Sequence, residues 1–407
     1  MQRICSITIL SAAAIALGCR ESVSPSASFQ RVDAPEYEAI DLGSLWSPDR
    51  PPAFGMASEA LAVNNRGQVV GWSRTGEGLN RHAFLYEDGI MRDLGSLGGT
   101  AAGAKHINER GQVAGYWLVP NGGGLHAFFW DGGVMQDVGT LGGANSSANG
   151  LGAEGQVIGS STTASGQEHA FLWQDGTIHD LGTLGGTHSY GYAINGDGQV
   201  VGESSTAAGE THAFLWTAGV MQDLGTLGGT TSSATAISNS GAVTGWSRDA
   251  DGNPHAFLWR DGVMQDLGVS LGAVSSIGTV VNASGHVAGW TNWIPGCCRR
   301  GFFWTGGTME DLGTFFSGGR TTVSAMNARG QVAGYSQWCI SAGCQHAFVW
   351  EDGVMTDLGG LPNRKGYVFA RAINDRGDVV GSSASNSGSD SYSAVLWRRV
   401  SHVAQQP

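Results

Sequence analysis

Short apolar runs alternate with clusters of Gly, Asn, Asp and Ser along most of the chain. The runs have the length and residue types of β-strands, and no stretch with a helical period competes with them. In His169-Ala170-Phe171-Leu172-Trp173 one face carries Phe and Trp and the other Ala and Leu. Strands that are apolar on both faces belong to sheets covered on both sides.

The pattern recurs. His-Ala-Phe begins at His82, His126, His169, His212, His255 and His346, the first five spaced 44, 43, 43 and 43 residues apart. Arg300-Gly301-Phe302 and Ser393-Ala394-Val395 fill degenerate copies. An aromatic residue follows each anchor by four positions, from Tyr86 and Trp130 through to Trp397. An Asp-Leu-Gly type element recurs from Asp41 to Asp357, and a Gly-x-Val element from Gly67 to Gly377. An Ile-Asn type pair, such as Ile194-Asn195, precedes the latter. A fixed period of this size signals a repeat architecture.

Each unit is expected to hold four short strands, for example Tyr192 to Asn195, Gln199 to Gly202, His212 to Trp216 and Val220 to Leu224. Asn195 followed three positions later by Gly198 suits a type I turn closed by a left-handed glycine. Asp88-Gly89, Asp175-Gly176, Asp261-Gly262 and Asp352-Gly353 suit type I′ hairpins, whose central residues both need positive φ. The phase of the repeat is offset at the ends. Residues 38–42 form a lone fourth strand, and Ala394 to Trp397 a lone third strand. Together they complete one blade, and pairing of terminal strands is how a propeller closes without an exposed edge. The expected fold is therefore all-β: a β-propeller of eight four-stranded blades closed by its N- and C-terminal strands. A β-solenoid is the alternative, and it would need capping units.

Glycine is abundant, 66 of 407 residues, in keeping with the many turns. The net charge of −12 and the absence of Lys/Arg runs argue against nucleic acid as a partner, because phosphate must be neutralised by clustered cations. Arg3, the apolar stretch Ile4 to Leu17, and Ala16-Leu17-Gly18-Cys19 have the form of an export signal ending in a lipobox-like site. The expected organisation is a signal peptide over 1–18, a tether over 19–36 behind a lipidated Cys19, the repeat body over 37–400, and a disordered tail over 401–407. That organisation implies a lipid-anchored protein of the outer membrane, cell surface or periplasm, with ordinary secretion as the alternative. Cys297, Cys298, Cys339 and Cys344 remain in the exported chain, and an oxidising compartment favours their pairing as disulfides. Cys339–Cys344 is the easiest bridge by spacing, while the other two could be vicinal or cross to it.

The His-Ala-Phe-Leu-Trp, Asp-Leu-Gly-x-Leu-Gly-Gly and Ile-Asn-x-x-Gly-Gln-Val-Val-Gly elements resemble the HAF-type extracellular repeats of bacterial proteins, over about residues 37–400. The resemblance implies export and carries no activity with it.

The repeated His and Asp recur in nearly every unit, whereas a catalyst needs one constellation. A hydrogen bond orienting strand against loop accounts for them. No nucleophile elbow, His-Glu-x-x-His or Cys-x-x-Cys occurs, and the turn Asn and Asp residues supply too few oxygens for calcium. No catalytic residue, metal or cofactor is expected, and a monomer is. What varies between units is more informative. Trp72, Tyr116, Trp246, Trp290 and Tyr335 occupy one position that elsewhere holds Ser160, Glu203 or Ser382. Trp117, Trp293 and Trp338 follow close behind, and the loops from fourth to first strand add Trp46, His188, Tyr190, Arg320, Arg364 and Lys365. Both loop sets share one face of a propeller, so the expected ligand face comprises Trp72, Tyr116, Trp117, Tyr190, Trp246, Trp290, Trp293 and Trp338. Aromatic platforms of this kind hold carbohydrate or anchor a protein partner, and packing between blades is the competing role. A polysaccharide hydrolase or lyase, or a purely structural envelope protein, are the other readings.

Overall fold

A four-residue consensus, Asn-x-x-Gly, opens the first hairpin of most units, with Gly152 and Ser238 in place of the asparagine in two. Asn64 Oδ1 accepts the backbone N–H groups of Arg66 and Gln68, and Gly67, at φ +84°, donates back to the Asn64 carbonyl. At the other hairpin Asp88 and Gly89 stand at φ +52° and +82°, the type I′ geometry expected of Asp-Gly. These two turns and the loop between them fold every unit as an antiparallel meander.

The computed structural model describes residues 35–46, 57–76, 80–269, 272–292, 299–316, 319–338, 345–362, 366–384 and 392–400. They fall within one unit of contact, residues 34–407. The expected signal, Cys19, most of the tether, the four remaining cysteines, Trp293, Arg364, Lys365 and the tail over 401–407 lie outside the described residues, as does the side chain of Trp338. Among the described residues there is no α-helix, only a 3₁₀ turn at Pro120–Gly122, and no helix long and apolar enough to cross a membrane.

The first complete meander has an inner strand Ser58–Val63, then Val69–Arg74, Arg81–Glu87 and an outer strand Ile90–Gly95. Its order in the sheet follows its order in the chain. The same four-stranded sheet recurs at 102–139, 142–180, 185–223, 228–266, 275–311 and 319–357. After these, a final unit of Tyr367–Ile373, Val379–Ala384 and Tyr392–Arg399 is joined by the N-terminal strand Tyr37–Asp41, antiparallel, with Tyr37 opposite Arg399. Within each sheet all ladders are antiparallel, and parallel contacts are single bridges such as Thr211 with Thr231. A solenoid stacks its coils through parallel ladders, so the arrangement is propeller-like instead.

Inner strands are longer than their apolar core suggests. Gly185–Ile194 starts well before the expected Tyr192, because the Gly-Gly-Thr approach is hydrogen-bonded too: Ser205 Oγ accepts from the N–H groups of Thr187 and His188.

Apolar burial lies between successive units. Ala127, Phe129 and Val138 of one unit pack with Ala148, Val157 and Phe171 of the next. A serine pins most of the joints: Ser146 Oγ accepts from Ala127 N and donates to the Gly139 carbonyl. Ser58 makes the same pair of bonds, accepting from Ala394 N and donating to the Gly43 carbonyl. The core around it, Val380, Ala394 and Leu396 against Ala60, Val69 and Phe84, joins the last unit to the first. Asparagines repeat the link at the other end, where Asn64 Nδ2 donates to the Asn108 carbonyl and Asn374 Nδ2 to the Asn64 carbonyl.

Candidate functional site

The most regular polar residues hold the fold. Each anchor histidine stands on the third strand of its unit, and the aspartate eleven residues later on the outer strand. His169 Nδ1 lies 2.8 Å from Asp180 Oδ2, and Asp180 Oδ1 also accepts from Gly182 N at 2.8 Å. His82, His126, His212, His255 and His346 repeat the pair at their own aspartates. Where Arg300 replaces histidine, its Nη2 and Nε reach the two oxygens of Asp311 at 2.7 and 3.3 Å. A guanidinium supplies the same donor to the same acceptor, which is why the position tolerates it.

The irregular positions gather elsewhere. Register places Glu59 opposite Trp72 and Trp72 opposite Ala83, so these side chains share one face of their sheet. Arg74 and Arg81 pair on that face, at the end where the second strand leaves and the third begins. Arginine recurs at the same places only as Arg248, matching Arg74, and Arg299, matching Arg81. Gly103, Ser147 and Thr322 match Glu59, while Leu118 and Ser205 match Arg74.

Glu59, Trp72, Arg74 and Arg81 line a cleft of about 280 Å³ between the first and last units, together with Ala57, Phe369, Arg371 and Tyr392. Arg371 crosses the joint to Glu59, with Nη2 and Nε at 2.8 and 2.9 Å from Oε1. Glu59 Oε2 also accepts from the Trp72 indole N–H at 3.2 Å. The Arg81 guanidinium lies over the Trp72 ring, 4.4 Å from its centroid, and hydrogen-bonds to Tyr116. Arg371 lies 5.2 Å over the Phe369 ring. Guanidinium groups stacked on aromatic faces are held by cation–π attraction while their N–H edges keep pointing outward.

The expected face residues separate by strand parity. Trp72 lines the cleft, and Tyr116 adjoins it through Arg81, with its phenol pushed up by burial against the opposing pull of Arg81. Trp290 carries Arg299 over its ring at 4.1 Å, a second copy of the Arg-on-Trp arrangement. Trp246 is half-buried at the matching position. Trp117 is a correction. It is 7 % exposed, packs with Val113 and Phe128, and stands edge-on to His126 with its indole N–H toward Asp137. It directly follows Tyr116, and successive strand residues point to opposite faces, so it enters the core. Trp46, from a fourth-to-first loop, is also buried.

Tyr190 belongs to a second cluster. Its ring stacks parallel to Tyr192 at 6.4 Å and lies 5.8 Å from His188. Burial, and then the neighbouring Glu203 to which it is hydrogen-bonded, hold the Tyr192 phenol in its protonated form. Burial also raises Glu168. These tyrosines are donors and ring platforms, the reverse of what a tyrosine base requires. Among the described residues no three His, Cys, Asp or Glu side chains converge on a metal-sized point.

Sequence reasoning found Trp72 and Tyr116 but missed Glu59, Arg74, Arg81, Phe369, Arg371 and Tyr392. Their signal was available as departures from the repeat once each unit is aligned on its Gly-x-Val element.

No family model and no curated protein matches this chain. Solved structures do share likeness with it. TolB from Acinetobacter baumannii is 14 % identical over 71 % of this chain and 78 % of its own, with a TM-score of 0.39. The Pyrococcus horikoshii acylaminoacyl peptidase gives 10 %, 80 %, 57 % and 0.45 for the same quantities. Dipeptidyl peptidase 4 of Porphyromonas gingivalis gives 11 %, 83 %, 59 % and 0.46. The chain thus spans less than two thirds of either peptidase, and likeness at this level bears on neither ligand nor activity.

Proposed function

We propose that this chain is an exported binding protein of the bacterial envelope, an eight-bladed closed propeller whose aromatic end face holds carbohydrate. The blade count rests on the four-strand units together with the terminal strand Tyr37–Asp41 that completes the last of them. Closure is supported by the Ser58 and Asn374 bonds, which repeat between last and first units what consecutive units make. Export, and lipidation of Cys19, rest on the apolar stretch and lipobox-like residues near the N-terminus. The HAF-type repeat resemblance belongs to the same reading.

One observation carries the binding role. Trp72, Trp246 and Trp290 occupy one equivalent position on one end of the fold, half-buried, where Ser160 and Ser382 serve the fold as well. Indole rings on a shared face suit the C–H faces of sugar rings. The full-length protein should retain a defined set of glycans on an array, and a Trp72→Ala/Trp246→Ala/Trp290→Ala triple variant with wild-type melting should lose them. Retention of no glycan by the wild type would overturn the carbohydrate role.

A further inference from the structure

The aromatic end face carries cations of the chain over its own rings. Arg81 lies over Trp72 and Arg299 over Trp290, at 4.4 and 4.1 Å from the ring centroids, and each stands just before its unit's anchor position. Lys105 lies over Tyr116 and Arg371 over Phe369, at 5.6 and 5.2 Å, and each is the bulged residue of its inner strand. Among the described residues these two strand positions supply the cations found over rings, where cation–π attraction holds them.

Where the sheet over 142–180 meets the sheet over 185–223, both positions have changed. The first sheet has Asn149 at its bulge and Glu168 before its anchor, and the second has Tyr192 and Thr211. Rings are still present: Tyr190 and Tyr192 stack 6.4 Å apart with their planes at 5°. Carboxylates stand beside them instead of cations. Glu203 is opposite Tyr190 in register, and Glu168 approaches Tyr190 across the joint as Arg81 approaches Tyr116. Burial first, and then both carboxylates, push the Tyr190 phenol up. Among the described residues neither Glu168 nor Glu203 is in an ion pair. Glu59, at the position of Tyr190 in the first sheet, is paired with Arg371. Arg248, on the following sheet, turns into its own hairpin to donate to the Gly252 carbonyl, and the His188 ring flanks Tyr190 at 5.8 Å.

The fold does not call for this arrangement. Ser160 and Ser382 stand where Glu203 does, and Leu125 and Thr211 where Glu168 does. The sheet over 319–357 also lacks both cations, with Ser324 and Gln345 at those positions, and there Tyr335 packs edge-on to Phe369 instead. An ammonium group satisfies both halves of the cluster, the rings through cation–π attraction and the carboxylates through charged hydrogen bonds. We propose that Tyr190, Tyr192, Glu168 and Glu203 bind the free amine of a hexosamine residue. The proposal rests on the carbohydrate reading of the face and narrows it to amino sugars.

The test uses the full-length protein and calorimetric titration with oligosaccharides of glucosamine and of galactosamine, each beside its fully N-acetylated counterpart. It is run at roughly pH 6.5, where amines are protonated and carboxylates ionised. At least one amine series should bind at least roughly tenfold tighter than its acetylated partner, since a charged hydrogen-bonded contact carries about that factor. Its affinity should fall as sodium chloride is raised. Glu203→Gln and Glu168→Gln should each lose about tenfold in affinity with unchanged melting. Glu154→Gln, which removes the same charge from the turn at the other end of the strands, should lose none. Equal binding of amine and acetylated sugars would overturn the ammonium assignment and leave the carbohydrate face standing. Binding of no sugar, charged or neutral, would overturn both. Tighter binding of the amines that survives both Glu203→Gln and Glu168→Gln would overturn this cluster as the site.

Discussion

His169 and Asp180 illustrate what a repeated residue does here. The imidazole ties the third strand to the outer one through a carboxylate that also closes its own turn on Gly182. The pair is partly exposed, 17 % and 42 % for its two side chains, so its worth is modest. His169→Ala should cost about 0.5–1 kcal/mol in urea denaturation, and His169→Arg should cost less, because Arg300 already performs that role at Asp311. His106 behaves differently. It sits where other units hold Ala62, Ala193 or Ala236, partly buried, with its Nε2 out of reach of solvent and lacking a hydrogen-bond partner. Burial first, and then the adjacent Lys105, lower its pKa to about 4, against a weak opposing bond to the Ala148 backbone. The folded state therefore refuses a proton that the unfolded chain accepts below about pH 6.5. Stability is full above that value and falls as the pH drops toward 4, by on the order of 3 kcal/mol. His106→Ala should flatten this acid limb in denaturation midpoints measured from pH 7 to pH 4, and an unchanged limb would assign it to other groups.

At the scale of the strand, the decisive residue is the glycine that begins the exit of each second strand toward the face. A Cβ on Gly202 would stand 1.8 Å from the Tyr190 carbonyl oxygen of the inner strand. The inner strand is bulged between Gly191 and Ala193, which shifts its register against Val201 and Gly202. Gly202→Ala should therefore cost about 3 kcal/mol or more, since backbone oxygen cannot step aside. Gly176→Ala, at φ +81° with open space around it, should cost only about 1 kcal/mol through backbone strain. The turns themselves were legible from Asn-x-x-Gly and Asp-Gly. The early start of Gly185–Ile194 was not, because its hydrogen bonds run to Ser205 on a neighbouring strand rather than to a local pattern. Parity was legible only in part. Tyr116 and Trp117 look equivalent as aromatics, and only register sends one to the face and the other to the core.

Across the whole molecule, the first and last described strands meet in one sheet. Tyr37 pairs with Arg399, and Val400 N donates to the Glu36 carbonyl. A permutant with a short Gly-Ser linker from residue 400 to residue 36 and new termini between Gly132 and Gly133 should fold with an unchanged circular dichroism spectrum. Deleting residues 1–43 instead leaves the last sheet one strand short, removes Leu42 from its core, and exposes a sheet edge. That variant should melt several degrees lower than the permutant, and equal melting would contradict the proposed closure.

The amino-acid sequence determined the unit, its two turn types, its strand order and the identity of the residues too regular to be a site. These follow from local chemistry: positive φ at Asp-Gly, side-chain caps at Asn, and strands apolar on both faces. The pairing of each His with its own Asp is nearly local as well, since a single hairpin separates them. Only the tertiary structure decided which irregular residues meet. Glu59 and Arg371 lie 312 residues apart, and nothing in either neighbourhood names the other. Their contact exists because the last unit returns to the first, and because a bulged register turns Glu59 and Trp72 toward the same end.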